Sequence, residues 1–440
     1  MGKTLKFGNG TWATKKGSTL AYSDTNNAFK PLPFTYTGAG KGTRVNKEGL
    51  IEVVENDRPR IDYTDSEDGV FLLEKAATNL VTYSEQFDNA YWTKSGASLT
   101  SGFVSPDGTN NAFKLTTSSV SNVLKKIPLS SVDVGNTNSP ASFSFYIKSD
   151  EISKVSIVEE YYYSAWASFD LNLGTVIASG GSNYTSSSIQ SLSNGWYRIT
   201  ILLTSISNGV MSIGIRLLDN NYINQNATTY TYSGNIGDGV YIYGGQAEAS
   251  SQSSSYIPTQ GNPQTRVQET ASGSGNSEVF NDSEGVLFFE GSALANDLTN
   301  RFISLTDGSN DNRVLFGYRS ASNQIFARIE GNNSASVDLT TVSSDTKINA
   351  KITISYDSSY NYKMFVNGFL VDSGVGTDGI IGLDRLDFTN ASGTENFYGK
   401  TKEIAYYDEI LTDLELETLT SYRSWEAMVK ELNLNIIHNE

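Results

Sequence analysis

Apolar positions along this chain recur mostly at every second residue, the period of a strand with one face buried. In 141–148 the alternation puts Phe143, Phe145 and Ile147 on one side. Runs at 154–158, 166–171, 196–203, 211–216 and 240–243 continue the pattern, with turn-forming residues such as Ser193, Asn194 and Gly195 between them. Residues 66–265 therefore read as a jelly-roll or related sandwich. A second set follows at 286–290, 301–305, 313–318, 324–329, 351–356 and 362–366. The last of these runs into Asn367-Gly368, a tight-turn signal, and returns through 369–371. Residues 285–411 read as a second antiparallel sandwich.

Between the two, 266–284 is rich in Ser, Gly, Gln and Asn and is expected to be a linker. After 411 the period changes. Thr412 and Glu415 have capping-box spacing. Leu414, Leu419, Tyr422, Trp425, Met428, Val429 and Leu432 recur at helical spacing, which predicts one helix over about 413–432 and a frayed tail, together spanning 412–440. Residues 1–65 are short extended pieces broken by Pro and Gly, expected to dock onto something larger rather than fold alone. The predicted class is mainly β: an extended N-terminal segment, two antiparallel β-sandwich (jelly-roll) domains and a C-terminal α-helix.

Composition agrees. The 25 Tyr and 20 Phe suit half-buried pleated surfaces, and abundant Gly, Ser and Asn suit the turns between them. A formal charge of −16 repels phosphates, which argues against nucleic acid and anionic membrane surfaces as partners. No apolar run reaches spanning length, so membrane insertion is not expected. The absence of cysteine excludes disulfides, thiolate metal sites and Cys nucleophiles. The N-terminus lacks the apolar core of a signal peptide, which points to synthesis in a cytoplasm.

Several motifs carry a resemblance. Thr43-Arg-Val-Asn-Lys-Glu-Gly-Leu-Ile-Glu52, Pro59-Arg-Ile-Asp-Tyr63, Leu72-Leu-Glu74 and Ala77-Thr-Asn-Leu-Val-Thr-Tyr-Ser-Glu85 resemble the shared N-terminal region of tailed-bacteriophage head spike, head fibre and tail fibre proteins. Phe87-Asp-Asn-Ala-Tyr-Trp-Thr-Lys94, Asn194-Gly-Trp-Tyr-Arg198, Gly245-Gln-Ala-Glu248, Ser255-Tyr-Ile-Pro-Thr259 and Thr265-Arg266 are similar to their carbohydrate-binding-like jelly-roll module. These motifs span about the first 270 residues. More loosely, Gly285-Val-Leu-Phe288, Val366-Asn-Gly368 and Glu403-Ile-Ala-Tyr-Tyr-Asp408 resemble concanavalin A-like, laminin G-type modules. The resemblance implies a virion protein attached to capsid or tail proteins through residues 1–65, trimeric as such fibres usually are, with host-surface or mucus glycans as ligands. It also implies localisation to the virion surface after synthesis in the host cytoplasm and release on lysis.

Candidate chemistry is sparse. The only histidine is His438, so Ser-His-Asp, Cys-His and His-zinc sites are excluded. A glycosidase needs only two flanking carboxylates. However, Glu403 and Asp408, and likewise Glu159 and Glu160, fall on opposite faces if their segments are strands. No catalytic residue is expected.

For sugar binding, Tyr161, Tyr162, Tyr163 and Trp166 form the densest aromatic run, with Glu159 beside it. On a strand Tyr161 and Tyr163 would share one face, and Tyr162 and Trp166 the other. At most half could meet a ligand, and core packing is the commoner role for such rings. Asp307, Asn310 and Asp311 offer oxygens for calcium, the one cofactor the sequence suggests, although Asp and Asn are also ordinary turn residues. Tyr422, Trp425 and Met428 are candidate subunit contacts. The favoured expectation is a non-enzymatic head fibre, spike or tail fibre subunit that adheres to glycans. The alternatives are a capsule- or polysaccharide-degrading enzyme and a purely architectural decoration protein.

Overall fold

In the computed structural model, which describes residues 5–205, 209–332 and 336–432, the alternating runs become antiparallel strands. The chain divides into two compact units, each assembled from separated stretches. One comprises residues 1–39, 55–75 and 268–440, the other residues 40–54 and 76–267. The mainly β class with C-terminal helices is as expected. Among the described residues no helix is long and apolar enough to cross a membrane.

The unit holding residues 76–267 is a sandwich of two sheets. The six-stranded sheet runs in the order Ala97–Phe103, Ala112–Thr117, Gly239–Glu248, Pro140–Ser149, Trp196–Thr204, Tyr184–Ser191. The five-stranded sheet runs Lys126–Pro128, Ile213–Leu218, Lys154–Glu159, Trp166–Asp170, Thr175–Gly180. Period-2 alternation sends Phe143, Phe145 and Ile147 into the shared core, where they meet Val155, Ile157, Ile213 and Ile215. Burying each such side chain stabilises the unit by roughly 1.5–3 kcal/mol. Trp92 and Trp196 are buried as well.

The unit holding residues 268–440 also pairs two sheets over a core. Gly285–Ala293 lies between Ala350–Tyr356 and Gly399–Tyr407 in the larger one. This strand is apolar on both faces for a reason. Leu287 and Phe289 enter the inter-sheet core, while Val286 and Phe288 pack outward against Leu411 and Leu416. Leu416 belongs to α1 (Asp413–Thr420), whose Thr412–Glu415 capping box forms as the spacing predicts. The hairpin turn at Asn367-Gly368 also forms, with both residues at positive φ (50° and 89°).

Three boundaries differ from expectation. Residues 1–65 are not a separate leader. Leu5–Gly8 pairs with the Glu403–Tyr406 stretch of strand Gly399–Tyr407, and Leu5, Phe7, Phe34 and Phe71 join the core. The backbone edge of Gly399–Tyr407 needs partners, and short extended pieces supply them without a core of their own. Residues 40–54 contribute instead to the other unit, as the hairpin of Thr43–Val45 and Ile51–Val53.

The stretch 266–284 is not a free linker. Thr270–Ser272 pairs with Phe34–Thr37, Ala271 is buried, and Ser274 bridges to Leu386. The single helix expected over 413–432 is two, because the Ser424 hydroxyl accepts from Ala427 N and starts α2 (Trp425–Glu431) afresh. The expected tail beyond 432, with His438, lies outside the described residues.

Ion pairs tie the separated stretches of this unit together. Buried Arg60 donates from Nε to Glu269 Oε1 at 2.7 Å and from a terminal nitrogen to Glu74 Oε2 at 2.8 Å, and it also bonds Glu269 Oε2. The Tyr36 hydroxyl donates to Glu269 Oε1 at 2.6 Å. Elsewhere Arg301 reaches Asp297 Oδ1 at 2.5 Å. Burial pushes the Asp297 carboxyl up, but the Arg301 bond and charge outweigh it and hold the group below its ordinary 3.8. A depressed carboxyl stabilises above its unfolded value and loses that contribution as pH falls through the folded one. Urea unfolding at about pH 6 and about pH 3 is therefore expected to show an acid-side loss that is smaller in Asp297→Asn. An unchanged loss in that variant would assign it to other groups.

Candidate functional site

The aromatic run does not lie on a strand. Strand Lys154–Glu159 ends where the register Val158↔Trp166 closes a hairpin, so Tyr161, Tyr162 and Tyr163 occupy its tip. All three are exposed, at 55, 55 and 44%. The expectation that half of them would be buried fails because the chain turns at Glu160, which removes the face alternation that a strand imposes.

Glu159 shapes this tip from within. Its carboxylate is fully buried and accepts from Tyr161 N at 2.9 Å, Tyr162 N at 2.8 Å and Ser164 N and Oγ at 3.4 and 3.3 Å. It is thus an anchor of the loop rather than a ligand contact. Glu160 forms a second clamp. Arg216 binds it in bidentate fashion, Nε to Oε1 and a terminal nitrogen to Oε2, both at 2.7 Å, and Lys126 Nζ reaches Oε2 at 2.5 Å. The Arg216 guanidinium carbon also sits 5.4 Å from the Tyr163 ring centre, which pins that ring by cation–π attraction. Tyr163 is held at φ 55°, an outlier for a bulky side chain.

The outcome is three rings presented on a pre-ordered loop, with the Tyr161 and Tyr162 ring centres 6.2 Å apart. Such rings offer flat apolar faces and hydroxyls at a small cost in side-chain entropy. Trp166 is different. It is buried with Val158 and Ala227 and takes no part in the exposed surface. Removing the anchor by Glu159→Ala is expected to cost about 1–3 kcal/mol, because amides it satisfies lose their acceptor. Hydrogen exchange should quicken at 161–164, and unchanged exchange there would show that Glu159 does not order the loop.

The calcium candidates are differently employed. Asp307 accepts from Ser309 N at 2.7 Å and from Asn312 Nδ2 at 3.1 Å, and Asn310 Oδ1 accepts from the Arg313 guanidinium at 2.6 Å. Asp311 donates its amide to Ser309 Oγ at 3.1 Å. A cation from the protein itself thus occupies one of the three expected ligands. Among the described residues no group of three or more His, Cys, Asp or Glu converges as a metal site.

The subunit-contact candidates differ in exposure. Trp425 is 61% exposed, Met428 is partly buried, and Tyr422 sits with its ring 5.9 Å from Lys351 Nζ. Burial pushes the Tyr422 phenol up to about 12. Glu403 is buried within its strand, whereas Asp408 is exposed beyond that strand's end.

Two features escaped the sequence reading. One is the role of Arg216, 53 residues or more downstream of the tyrosines it supports, for which sequence spacing gives no signal. The other is a cavity of about 380 Å³ lined by Tyr356, Tyr360 and Tyr362 together with Asp282, Asp357 and Asp378. The closely spaced Asp357-Ser-Ser-Tyr360-Asn-Tyr362 was its visible trace.

No protein-family profile matches the chain, and no curated protein matches it. Among solved structures, the CBM40 of the Ruminococcus gnavus IT-sialidase is similar over 34% of this chain and 94% of its own, at 16% identity and a TM-score of 0.29. The NanB sialidase from Streptococcus pneumoniae is similar over 33% of this chain and 25% of its own, at 17% identity and a TM-score of 0.28. For the botulinum neurotoxin serotype G binding domain the figures are 34% and 39%, at 22% identity and a TM-score of 0.28. The chain therefore spans a small part of the sialidase and less than half of the neurotoxin domain.

Proposed function

We propose that this chain is a non-enzymatic display protein of a tailed-bacteriophage particle, a head fibre, spike or tail fibre subunit that adheres to glycans on host or environmental surfaces. The observation that carries the adhesive part is the exposed Tyr161–Tyr163 tip, ordered from beneath by Glu159 and Arg216. Rings held ready in this way bind the apolar face of a pyranose without first paying to order themselves. A weak site repeated over a trimer and over many copies gives avidity that no single site supplies.

The particle assignment rests on the motifs of the first 270 residues. Much of 1–65 is built into the two units, so attachment to capsid or tail falls to what remains exposed there, such as Leu20 and Phe29. A non-catalytic role is supported by the occupation of both carboxylates beside the rings, Glu159 by backbone amides and Glu160 by Arg216 and Lys126.

The test is a polysaccharide array probed with the full chain, coupled to an assay for newly released reducing ends. Retention without release is expected. Sustained release abolished by substituting an acidic pair would replace this reading with a polysaccharide-degrading enzyme. No retention at all would leave an architectural decoration protein.

A further inference from the structure

The cavity of about 380 Å³ lies in the unit holding residues 268–440 and belongs to neither the tyrosine tip nor its supports. Its volume falls at the small end of ligand pockets, about 300–1,000 Å³. Its walls come from the turn between Ala350–Tyr356 and Asn361–Val366, from residues 378–381 and from residues 282–283.

Two of the walls are rigid. Asp282 accepts from Gly382 N at 2.7 Å and from Leu383 N at 2.9 Å, and Asp357 accepts from Ser359 N at 2.8 Å and from Asn361 N at 3.0 Å. Tyr356 is fixed by its hydroxyl, which donates to Asn281 O at 2.7 Å, and Tyr362 donates to Asp378 O at 3.3 Å. Asp357 Oδ1 also accepts from Asn361 Nδ2 at 3.1 Å and is saturated, whereas Asp357 Oδ2 and the two Asp282 oxygens accept one bond each and keep a further lone pair. The Asp378 carboxylate is exposed and accepts no hydrogen bond among the described residues.

Tyr360 is the strained member. It stands at φ 62°, where a bulky side chain is rarely found. Its ring lies so close to Gly379 that a Cβ there would come within 3.0 Å of Cε1. The backbone at 379 is bare where the ring needs the space, so the ring is held as a wall. Strain of this kind persists where the surroundings over-determine it, and binding sites are among those places.

The charge of the lining selects the ligand. Asp282, Asp357 and Asp378 line the cavity, and among the described residues no Lys or Arg does so. Lys363, whose charge acts on Asp357, is itself paired with Asp413 at 2.5 Å. An anionic sugar would meet three carboxylates with no counter-charge, whereas a protonated amine would be attracted by all three.

We propose that this cavity binds an aminosugar, a pyranose carrying a protonated amine. The amine sits against Asp378, hydroxyls donate to Asp357 and Asp282, and the apolar ring face lies on Tyr360. The site is separate from the tyrosine tip and stands or falls independently of it.

The test is calorimetric titration of the full chain with the methyl glycosides of glucosamine, N-acetylglucosamine and glucuronic acid. Glucosamine is expected to bind with a dissociation constant on the order of 1 mM. The N-acetyl form, which lacks the charge, should bind at least about tenfold more weakly, and the acid not at all. Asp378→Asn and Tyr360→Gly should each weaken glucosamine binding by about tenfold or more. Glycine suits the backbone at 360 and asparagine preserves the shape at 378, and thermal melts check that both variants fold. Equal binding of the N-acetyl or acidic sugar, no binding of glucosamine, or binding unaffected in both folded variants would overturn the proposal.

Discussion

Arg60→Ala is expected to destabilise the unit holding residues 268–440 by about 3–5 kcal/mol, the scale at which removing one partner of a buried ion pair strands the other. Two carboxylates are stranded here, Glu74 and Glu269, and both are almost wholly buried. Glu269 also accepts from Tyr36 and from Glu74 N, so the loss spreads to strand Phe34–Thr37 and to the end of Val70–Leu73. Because Arg60 and Glu269 are 209 residues apart in sequence, the pair joins stretches that would otherwise pay chain entropy to meet. The melting transition of this unit should fall by about 10 °C. Replacing Arg60, Glu74 and Glu269 together by methionine should recover part of the loss, since an apolar set leaves no unpaired charge. A cost of about 1 kcal/mol or less, as for an exposed pair, would show that the network is not structural.

The second large effect concerns adhesion. Tyr161→Ser, Tyr162→Ser and Tyr163→Gly combined should change unfolding free energy by only about 0.5 kcal/mol, because the rings are exposed and glycine suits the backbone at 163. Retention on host polysaccharide should nevertheless fall at least about thirtyfold, since buried contact through two or three tyrosines is worth about 2 kcal/mol or more. Display in several copies would multiply the loss. If retention persists in a folded triple variant, adhesion resides elsewhere on the protein.

The sandwiches were legible because their cores obey a local rule. The Phe143, Phe145, Ile147 alternation needs no knowledge of the partner strands to identify the buried face. The Thr412–Glu415 box and the Asn367-Gly368 turn were legible for the same reason, since each is complete within four residues.

What was not legible depends on distant partners. Leu5–Gly8 is a strand only because Gly399–Tyr407, almost 400 residues later, offers it an edge. Arg60 reads as one basic residue in a loop until Glu269 is brought beside it. At the tip, the local pattern misled. Three consecutive tyrosines imply two faces on a strand, but buried Glu159 bonding forward to the amides of 161, 162 and 164 makes a loop of them. The same cause hid the acidic cavity, whose walls meet only when residues 282, 357 and 378 fold together.

The proposed role has the protein project from a phage particle to present its surfaces. The most direct measurement is immunogold electron microscopy of purified particles, using an antibody raised against residues 285–411. Gold is expected on fibres or spikes extending from the particles. Gold confined to the host cell surface, with bare particles beside it, would contradict the account.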